Sequence, residues 1–215
     1  MNQSAIVLHG TELSGHTHRV VLLLRALGLP YRFEVADGAR RASAEFRALN
    51  PLGQIPVLQD GGLILADSNA ILVYLVRRYA PDSSWLPEEP AAAASVQRWL
   101  SIAAGEVRYG PSMARITLQW GGPGDPVAAA GIARRLLAFM DQHLSGRTWL
   151  AADHVTLADL ACYSYVAHAP EGGIPLSPYP FVRKWISMVE AQPWFQAMPA
   201  SPLPEPLLEP LAERA

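Results

Sequence analysis

Cysteine and lysine are almost absent from this chain of 215 residues, which contains one of each, Cys162 and Lys184. A single cysteine excludes an internal disulfide framework, a CxxC redox pair and a metal site built from several cysteines. So few cysteines are typical of proteins in reducing compartments, and we therefore expect the protein to be cytoplasmic.

Charged residues make up only 17% of the chain, and the net charge is −2 at pH 7 with neutral histidines. Because the arginines are scattered, the sequence lacks the basic patch of a nucleic-acid-binding protein. Half of the residues are hydrophobic, which is typical of a globular protein, and the length suits two small domains. No apolar run is long enough to cross a bilayer, and the N-terminus lacks the features of a signal peptide. We expect neither a membrane nor a nucleic acid as partner.

Strand and helix patterns alternate over the first 80 residues. Gly28 ends the first helical pattern, and the turn Asp60-Gly61-Gly62 joins two short apolar runs in the manner of a hairpin. The predicted elements are strands at residues 5–8, 31–35, 55–59 and 63–65, and helices at residues 17–27, 43–49 and 69–79. Their order is β-α-β-α-β-β-α.

The remainder of the chain has helical patterns only. A segment rich in proline and polar residues separates it from the first part and is typical of an interdomain linker. Helices are predicted at residues 91–119, 127–144, 156–167 and 180–191. The predicted division is a first domain at 1–80, a linker at 81–90, an all-helical domain at 91–200 and a tail at 201–215.

Two motifs stand close together in the first part of the chain, NPLGQIPVL at residues 50–58 and LADSNAILVYL at residues 65–75. Together they resemble the central motif of the glutathione transferases. The sequence Thr156-Leu157-Ala158-Asp159 is similar to the family's N-cap box in its helical domain. The resemblance covers nearly the whole chain and implies an α/β plus all-α protein, with an N-terminal thioredoxin-like domain (βαβαββα) followed by a C-terminal helical bundle. It also implies a detoxifying enzyme that joins the thiolate of glutathione, its co-substrate, to small hydrophobic electrophiles, without a metal and as a homodimer.

The bond between Ile55 and Pro56 precedes a predicted strand and is a candidate cis peptide, although a trans bond is commoner in general. In the family, the residue after this proline, here Val57, pairs its backbone with the cysteinyl part of glutathione like an added strand. Gln54 matches a family position that contacts the backbone of the tripeptide. Without the family resemblance, Gln54 would be interpreted as an ordinary surface residue.

Asp67 and Ser68 begin a predicted helix, where side-chain oxygens and free N–H groups can hold a charged ligand group or simply cap the helix. The resemblance implies that Ser68 faces the carboxylate, and Asp67 the ammonium, of the γ-glutamyl end of glutathione. Arg40-Arg41 precedes the predicted second helix, about where the family supplies a cation for the glycine carboxylate. Arg41 is that candidate, and a pair of solvated arginines is the competing interpretation.

The resemblance implies a hydrogen-bond donor for the glutathione thiolate in the loop after the first strand. Ser14 occupies the position where the serine-using classes carry their hydroxyl, although a serine at a helix start is also an ordinary N-cap. The neighbouring side chains that remain alternatives are Thr11, His16, Thr17 and His18. The loop has no Ser-Ser-Cys run of the kind found in zeta-class isomerases, which favours conjugation over isomerisation. His16 and His18 have no further ligand at a familiar metal-site spacing.

The resemblance implies an apolar pocket for the second substrate, lined by the catalytic loop and by the first helices of the helical domain. The candidates in this sequence are Leu13, His16, Tyr109, Met113, Ile116 and Trp120. The last four recur at helical spacing, and some of them have core packing as the competing interpretation. Arg108 and Arg115 favour an anionic co-substrate or else face solvent. Thr156 and Asp159 form a capping box with a folding role.

Two other functions remain open from the sequence. The same thiolate chemistry suits a glutathione-dependent peroxidase or reductase. A non-catalytic homologue that binds apolar ligands or a protein is the alternative outside the enzymes, because one fold hosts many functions.

Overall fold

The computed structural model describes residues 6–207. Ala5, at the start of the predicted first strand, lies outside the described residues, together with residues 1–4 of the predicted first domain and residues 208–215 of the predicted tail. The chain forms two compact units. The first comprises residues 6–86 together with Pro193–Pro199, and the second comprises Pro87–Gln192 together with residues 200–207. The boundary after Leu86 falls inside the segment where the linker is predicted.

The first unit is built around a four-stranded mixed sheet. Its elements are β1 (Ile6–Gly10), α1 (Gly15–Ala26), β2 (Tyr31–Val35), α2 (Gly38–Ala42), α3 (Ala44–Leu49), β3 (Val57–Asp60), β4 (Leu63–Ala66) and α4 (Ser68–Tyr79). The strand order is β2-β1-β3-β4. β1 pairs in parallel with β2 and antiparallel with β3, which pairs antiparallel with β4. The predicted thioredoxin-like architecture is confirmed, with one additional short helix.

That additional helix, α2, contains the two adjacent arginines. Arg40 and Arg41 precede the helix predicted at residues 43–49, as expected, and both lie inside α2, which was not predicted. Asp37 starts this helix, because its side chain accepts a hydrogen bond from the Arg40 backbone N–H at 2.8 Å. The predicted polar helix follows as α3, which Ser43 caps through the Phe46 N–H.

Two cores hold the helices on the sheet. Phe46 of α3 packs in a fully buried cluster with Ala36 and Val57. Neighbouring residues of a strand point to opposite faces, so Leu58, also fully buried, faces the other side of the sheet from Val57. The helices α1 and α4 pack on each other and contribute a second set of fully buried residues: Val20, Leu22, Leu23, Leu24, Ile71, Leu72, Leu75 and Val76.

A pair of tyrosines fixes α4 to the β3–β4 hairpin. The hydroxyl groups of Tyr74 and Tyr79 both donate hydrogen bonds to Asp60 Oδ2, at 2.8 Å in the case of Tyr74. Burial, reinforced by the Asp60 carboxylate, raises the pKa of Tyr79 to about 12, so this hydroxyl remains a donor throughout the physiological pH range. These hydrogen bonds fasten the β3–β4 hairpin to the helix that begins at Ser68.

The second unit consists of helices, with no strand among its described residues. Its elements are α5 (Pro90–Ile102), a π-helix (Ala103–Ser112), α6 (Met113–Trp120), α7 (Pro126–Leu144), α8 (Leu157–Ala167), a 3₁₀ turn (Ala169–Gly172) and α9 (Pro180–Glu190). The predicted helical bundle is confirmed. The long predicted helix at residues 91–119 differs in one respect, because its centre is a π-helix that contains Pro111. Proline has no N–H to donate and clashes with the preceding turn of an α-helix.

The predicted capping box at the start of α8 is confirmed. Thr156 accepts from the first turn of the helix, and Asp159 accepts from the Thr156 backbone N–H at 2.9 Å. Asp159 is fully buried and also accepts from Leu150 N at 3.0 Å and from Trp185 Nε1 at 2.9 Å. Burial raises the pKa of this carboxyl, while these hydrogen bonds act in the opposite direction.

The segment Pro193–Pro199, which follows α9, packs within the first unit. Arg25 Nε donates to Trp194 O at 3.0 Å, and His18 Nε2 lies 2.7 Å from Gln196 O. The Trp194 ring meets the Trp85 ring edge to face at 5.7 Å between centroids. Each of the first two contacts involves one residue of α1, the helix that follows the predicted catalytic loop.

Candidate functional site

Ser14 is the N-cap of α1. Its backbone is extended, and its Oγ accepts a hydrogen bond from the Thr17 backbone N–H at 3.3 Å. The side chain is half-buried. A hydroxyl that accepts from a helix N-terminus still has its own O–H to donate, and the positive end of the helix dipole favours an anion beside it. The position therefore suits an oxygen donor to a thiolate.

His16 brings the Ser14 loop and the start of α4 together. Its Nδ1 lies 3.4 Å from Ser68 Oγ, although the two residues are 52 positions apart in the chain. Ser68 is only 4% exposed and is the first residue of α4. The first turn of the helix that Ser14 caps is thus in contact with the predicted γ-glutamyl residue through the His16 side chain.

Arg19 is a residue that the sequence reasoning missed. It lies on α1, is 1% exposed, and donates from Nη1 to Asn69 Oδ1 at 2.9 Å and to Ser68 Oγ at 3.3 Å. Its guanidinium therefore places a buried positive charge beneath the N-terminus of α4. Both the charge and the helix end favour a carboxylate ligand there.

Asp67 has a left-handed backbone, with φ 74°, which is uncommon for a residue with a side chain. Its carboxylate accepts from Ala70 N at 2.9 Å and so caps α4. The side chain remains exposed. Asp67 therefore combines the capping role with a solvent-facing carboxylate that is accessible to an ammonium group.

The loop before β3 contains Gln54, Ile55 and Pro56, and the Ile55–Pro56 bond is cis, as the candidate assignment anticipates. Asn50, another residue that was not predicted as functional, holds this loop. Its Nδ2 donates to Gln54 O at 2.9 Å, and its Oδ1 accepts from Leu52 N at 3.2 Å. Gln54 itself is exposed, while Pro56 is buried.

Val57 is the first residue of β3 and is fully buried. In the register of the sheet it lies opposite His9 on one side and Ala66 on the other. Ala66 immediately precedes Asp67, so the end of β4 brings Val57 and the α4 cap into the same part of the sheet.

Arg41 lies near this loop. Its Nε donates to Asp37 O at 3.3 Å, which turns the guanidinium back along α2. A Cβ built on Gly53, whose φ is 62°, would stand 3.3 Å from Arg41 O. The end of α2 therefore packs closely on the turn that leads to Gln54.

The six residues predicted for the second substrate divide between the two units. Leu13 and His16 lie in the loop and first turn of α1, and the other four lie on the π-helix and α6. Tyr109 and Trp120 are exposed, by 57% and 50%. Met113 and Ile116 are half-buried and pack against the turn after α6: a Cβ on Gly124 would meet Met113 Sδ at 3.1 Å, and one on Gly122 would meet Ile116 Cγ2 at 2.4 Å.

The two arginines of this helical run have different environments. Arg115 is 1% exposed and forms a buried ion pair with Glu171. It therefore neither faces solvent nor has a free charge for a ligand, which were the two interpretations open from the sequence. Its Nη2 also donates to Ser201 Oγ at 3.1 Å, which ties the chain after α9 to α6. Arg108 is half-buried, and its Nη1 is enclosed without a hydrogen-bond partner among residues 6–207.

The described residues contain neither a cluster of metal ligands nor a membrane-spanning helix. Within residues 6–207, no group of three or more His, Cys, Asp or Glu side chains is arranged to hold a metal ion. In the same part of the chain, no helix combines the length and apolarity needed to cross a membrane.

Comparison with known proteins identifies similar chains for both units. The family model of the glutathione S-transferase N-terminal domain matches residues 8–84, and that of the C-terminal domain matches residues 125–193. Glutathione S-transferase 3 of Zea mays is 32% identical, over 93% of this chain and 96% of its own length.

Two solved structures are also similar. The glutathione S-transferase of Pseudomonas fluorescens superposes with a TM-score of 0.85 at 31% identity, covering 91% of this chain and 99% of that one. A glutathione transferase homologue of Drosophila mojavensis, solved with bound glutathione, gives a TM-score of 0.79 at 27% identity over 88% of this chain and 89% of its own.

Proposed function

This chain belongs to the glutathione S-transferase family, and we propose that it conjugates the thiolate of glutathione to small apolar electrophiles, with Ser14 as the thiolate donor. The observation that carries the proposal is the contact of 3.4 Å between His16 Nδ1 and Ser68 Oγ. It joins the loop of the proposed donor to the proposed γ-glutamyl site. A tripeptide bound at Ser68 then has its next residue, the cysteine, within the same part of the first unit.

The proposed reaction uses two features of the first unit. The Ser14 O–H donates to the glutathione sulfur, and the N-terminus of α1 adds its positive dipole end, so the thiolate is favoured over the thiol. The sulfur then attacks the electrophilic carbon, forms the C–S bond and expels a leaving group such as chloride with its electron pair. The thiol proton leaves to solvent.

The proposed glutathione contacts follow from the same geometry. Ser68, supported by Arg19, receives the γ-glutamyl carboxylate, and the exposed Asp67 receives its ammonium. Gln54 and the cis Ile55–Pro56 bond present Val57 to the cysteinyl backbone, for which the support is the family motif. Arg41 faces the glycine carboxylate, supported by the close packing of α2 on Gly53.

For the electrophile, we propose contacts from the apolar side chains assigned by the family resemblance. In the first unit these are Leu13 and the ring of His16. In the helical unit the support is strongest for Tyr109 and Trp120, because their aromatic rings are exposed. Met113 and Ile116 contribute less, since both pack against the turn at residues 122–124.

We also propose a homodimer in the cytoplasm, as the family resemblance and the single cysteine imply. Light scattering at several protein concentrations tests the assembly, with a mass of about twice 23.3 kDa expected. A monomer at micromolar concentration would contradict the dimer and leave the catalytic proposal unaffected.

Calorimetric titration with glutathione, followed by turnover with a chloronitroaromatic acceptor in the same preparation, tests the function. Binding with release of chloride supports the transferase. Binding without turnover would instead favour a peroxidase or reductase, which assays with cumene hydroperoxide and with a mixed disulfide of glutathione would then distinguish. No binding would favour a non-catalytic homologue.

A further inference from the structure

The π-helix Ala103–Ser112 contains two buried donors that no residue in the described part of the chain satisfies. Arg108 Nη1 and Ser112 Oγ are both enclosed, and neither has a hydrogen-bond partner among residues 6–207. Ser112 is 0% exposed. Buried polar groups are nearly always paired in proteins, so two orphans on one short helix call for an explanation.

The two groups lie four residues apart, a spacing that places side chains on neighbouring turns of the same side of a helix. Arg108 Nη1 can only donate and the Ser112 hydroxyl can also donate, so a ligand that accepts hydrogen bonds suits both groups. No acidic side chain of the described residues forms an ion pair with Arg108, and Glu106, two positions earlier, points to a different side of the helix. The Arg108 guanidinium therefore has no acidic partner among residues 6–207, and the buried Ser112 hydroxyl follows one turn later on the same side of the helix.

The surroundings indicate the rest of the ligand. The Arg108 guanidinium carbon lies 5.9 Å from the centroid of the Tyr109 ring, and that ring is 57% exposed. An aromatic face beside a cation suits a flat apolar body that ends in an anionic group. π-helical segments, moreover, are frequent at functional sites.

We propose that Arg108 and Ser112 form an anion-binding site in the helical unit that receives the carboxylate of an aromatic acid. Resting on the proposed function, the inference names the class of second substrate: aromatic electrophiles that carry a carboxylate. Arg108 donates to the carboxylate as a charged partner, and Ser112 donates from its hydroxyl. Arg115 has no part in this recognition, because Glu171 already neutralises it.

The test compares a carboxylate with its neutral amide. Binding of 3-nitrobenzoate and 3-nitrobenzamide is measured by calorimetry without glutathione, and KM is measured for 4-chloro-3-nitrobenzoate and 4-chloro-3-nitrobenzamide with glutathione. The wild type is expected to prefer the carboxylate about tenfold or more in both measurements, the range for a hydrogen bond to a charged group. Arg108→Gln removes this preference, Ser112→Ala reduces it, and Arg108→Lys retains part of it.

Arg98→Gln is the matched control. Arg98 lies one element earlier on α5, is exposed, and stands over the Phe139 ring at 5.5 Å, so this substitution removes the same charge from a similar cation–π contact. The carboxylate preference of Arg98→Gln should equal that of the wild type. Urea unfolding of each variant separates a loss of recognition from a loss of fold.

Three results would overturn the inference: a wild type that does not distinguish acid from amide, an Arg108→Gln variant that retains the preference, or an Arg98→Gln variant that loses it equally. A weaker affinity of Arg108→Gln for glutathione with an intact carboxylate preference would assign Arg108 to glutathione instead. Calorimetry could also show tighter binding of 3-nitrobenzoate than of 3-nitrobenzamide while neither chloro compound is turned over. That result would contradict the proposed function and leave the anion-binding site supported.

Discussion

Arg19 Nη1, on α1, donates a hydrogen bond to Asn69 Oδ1, in the first turn of α4, over a distance of 2.9 Å. The same nitrogen donates to Ser68 Oγ at 3.3 Å. One buried cation therefore links the helix that follows Ser14 to the helix that begins at the proposed γ-glutamyl site. Its charge and its hydrogen bonds together fix the orientation of the Ser68 hydroxyl.

Replacing Arg19 by methionine should weaken glutathione binding about tenfold or more. The substitution retains the apolar stem but removes the charge beneath α4 and the two hydrogen bonds, each of which contributes about 1 kcal/mol. Calorimetric titration with glutathione measures the change, and the KM for the electrophile should move much less. The free energy of unfolding should also fall, because Asn69 loses a hydrogen-bond donor.

Arg25→Met provides the control for this prediction. Arg25 lies on the same helix, but it is exposed and donates to Trp194 O, away from α4. Its loss should leave glutathione affinity within about twofold of the wild type. Equal weakening in both variants would mean that Arg19 acts only through the stability of α1.

Replacing Ser14 by alanine should raise the thiol pKa of bound glutathione and lower kcat by about 100-fold, a typical effect of removing one donor to a developing anion. The thiolate absorbance of the complex, followed against pH, gives the pKa directly. Because Ser14 is also an N-cap, the variant should lose about 1 kcal/mol of stability as well.

Ser43→Ala isolates the capping contribution. Ser43 caps α3 through the Phe46 N–H at 3.2 Å, as Ser14 caps α1 through the Thr17 N–H. Ser43→Ala should lose a similar amount of stability with no change in the thiol pKa. An unaltered thiol pKa and rate in Ser14→Ala would rule out Ser14 as the donor.

The sequence predicted those features whose cause is local. Gly28, the Asp60-Gly61-Gly62 turn and the capping residues Thr156 and Asp159 act through neighbouring backbone groups, so their patterns can be read along the chain. The family motif added the cis bond at Pro56 and the helix that begins at Ser68.

Contacts made by tertiary packing were not predicted. Arg19 and Ser68 are 49 positions apart, and their meeting depends on how α1 packs on α4. Arg108 and Arg115 have the same side chain on one helical run. Arg115 pairs with Glu171, 56 positions later, whereas Arg108 pairs with no acidic side chain among residues 6–207. No local sequence pattern distinguishes the two arginines. The packing of Pro193–Pro199 in the first unit also depends on tertiary contacts and was not predicted.

Replacing Asp159 by alanine should lower the free energy of unfolding by at least about 3 kcal/mol. Four buried donors, Leu150 N, Thr156 N, Thr156 Oγ1 and Trp185 Nε1, would lose their acceptor, and each unsatisfied donor costs about 1–3 kcal/mol. Thr156→Ala, which removes only the other half of the capping box, should cost about 1 kcal/mol. Urea unfolding followed by circular dichroism measures both; equal losses would mean that Asp159 acts as a cap alone.

Two glycines of the π-helix should respond to alanine in opposite directions. A Cβ on Gly110 would stand 2.9 Å from Ala133 N, a backbone atom of α7, so Gly110→Ala should cost about 1–3 kcal/mol of stability. Gly105 has nothing within 4 Å of its Cβ position, and Gly105→Ala should gain about 0.4–1 kcal/mol by restricting the unfolded chain. Thermal unfolding compares them, and a loss of stability in both would indicate that the π-helix itself requires glycine.

Acidification should destabilise the helical unit through His168. Burial lowers the pKa of this imidazole, while the hydrogen bond to Ser164 O and the Glu171 carboxylate oppose the shift. The unfolded chain, in which a histidine has a pKa of about 6.5, therefore binds a proton more readily than the folded chain. The stabilising contribution is complete above that pKa and is lost as the pH falls from about 6.5 through the lower folded pKa.

His168→Asn should reduce this dependence, because asparagine retains a donor and does not titrate. The free energy of unfolding, measured by urea from pH 8 to pH 5, should fall less steeply for the variant than for the wild type. His154→Asn is the control, since the His154 side chain is 42% exposed and pairs with the Asp153 carboxylate, which is 97% exposed. Both substitutions remove one histidine, so a difference between the two variants reports on the environment of His168. Parallel curves for the wild type and His168→Asn would mean that His168 keeps an ordinary pKa in the folded protein. The acid sensitivity would then arise from the carboxylates of the unit.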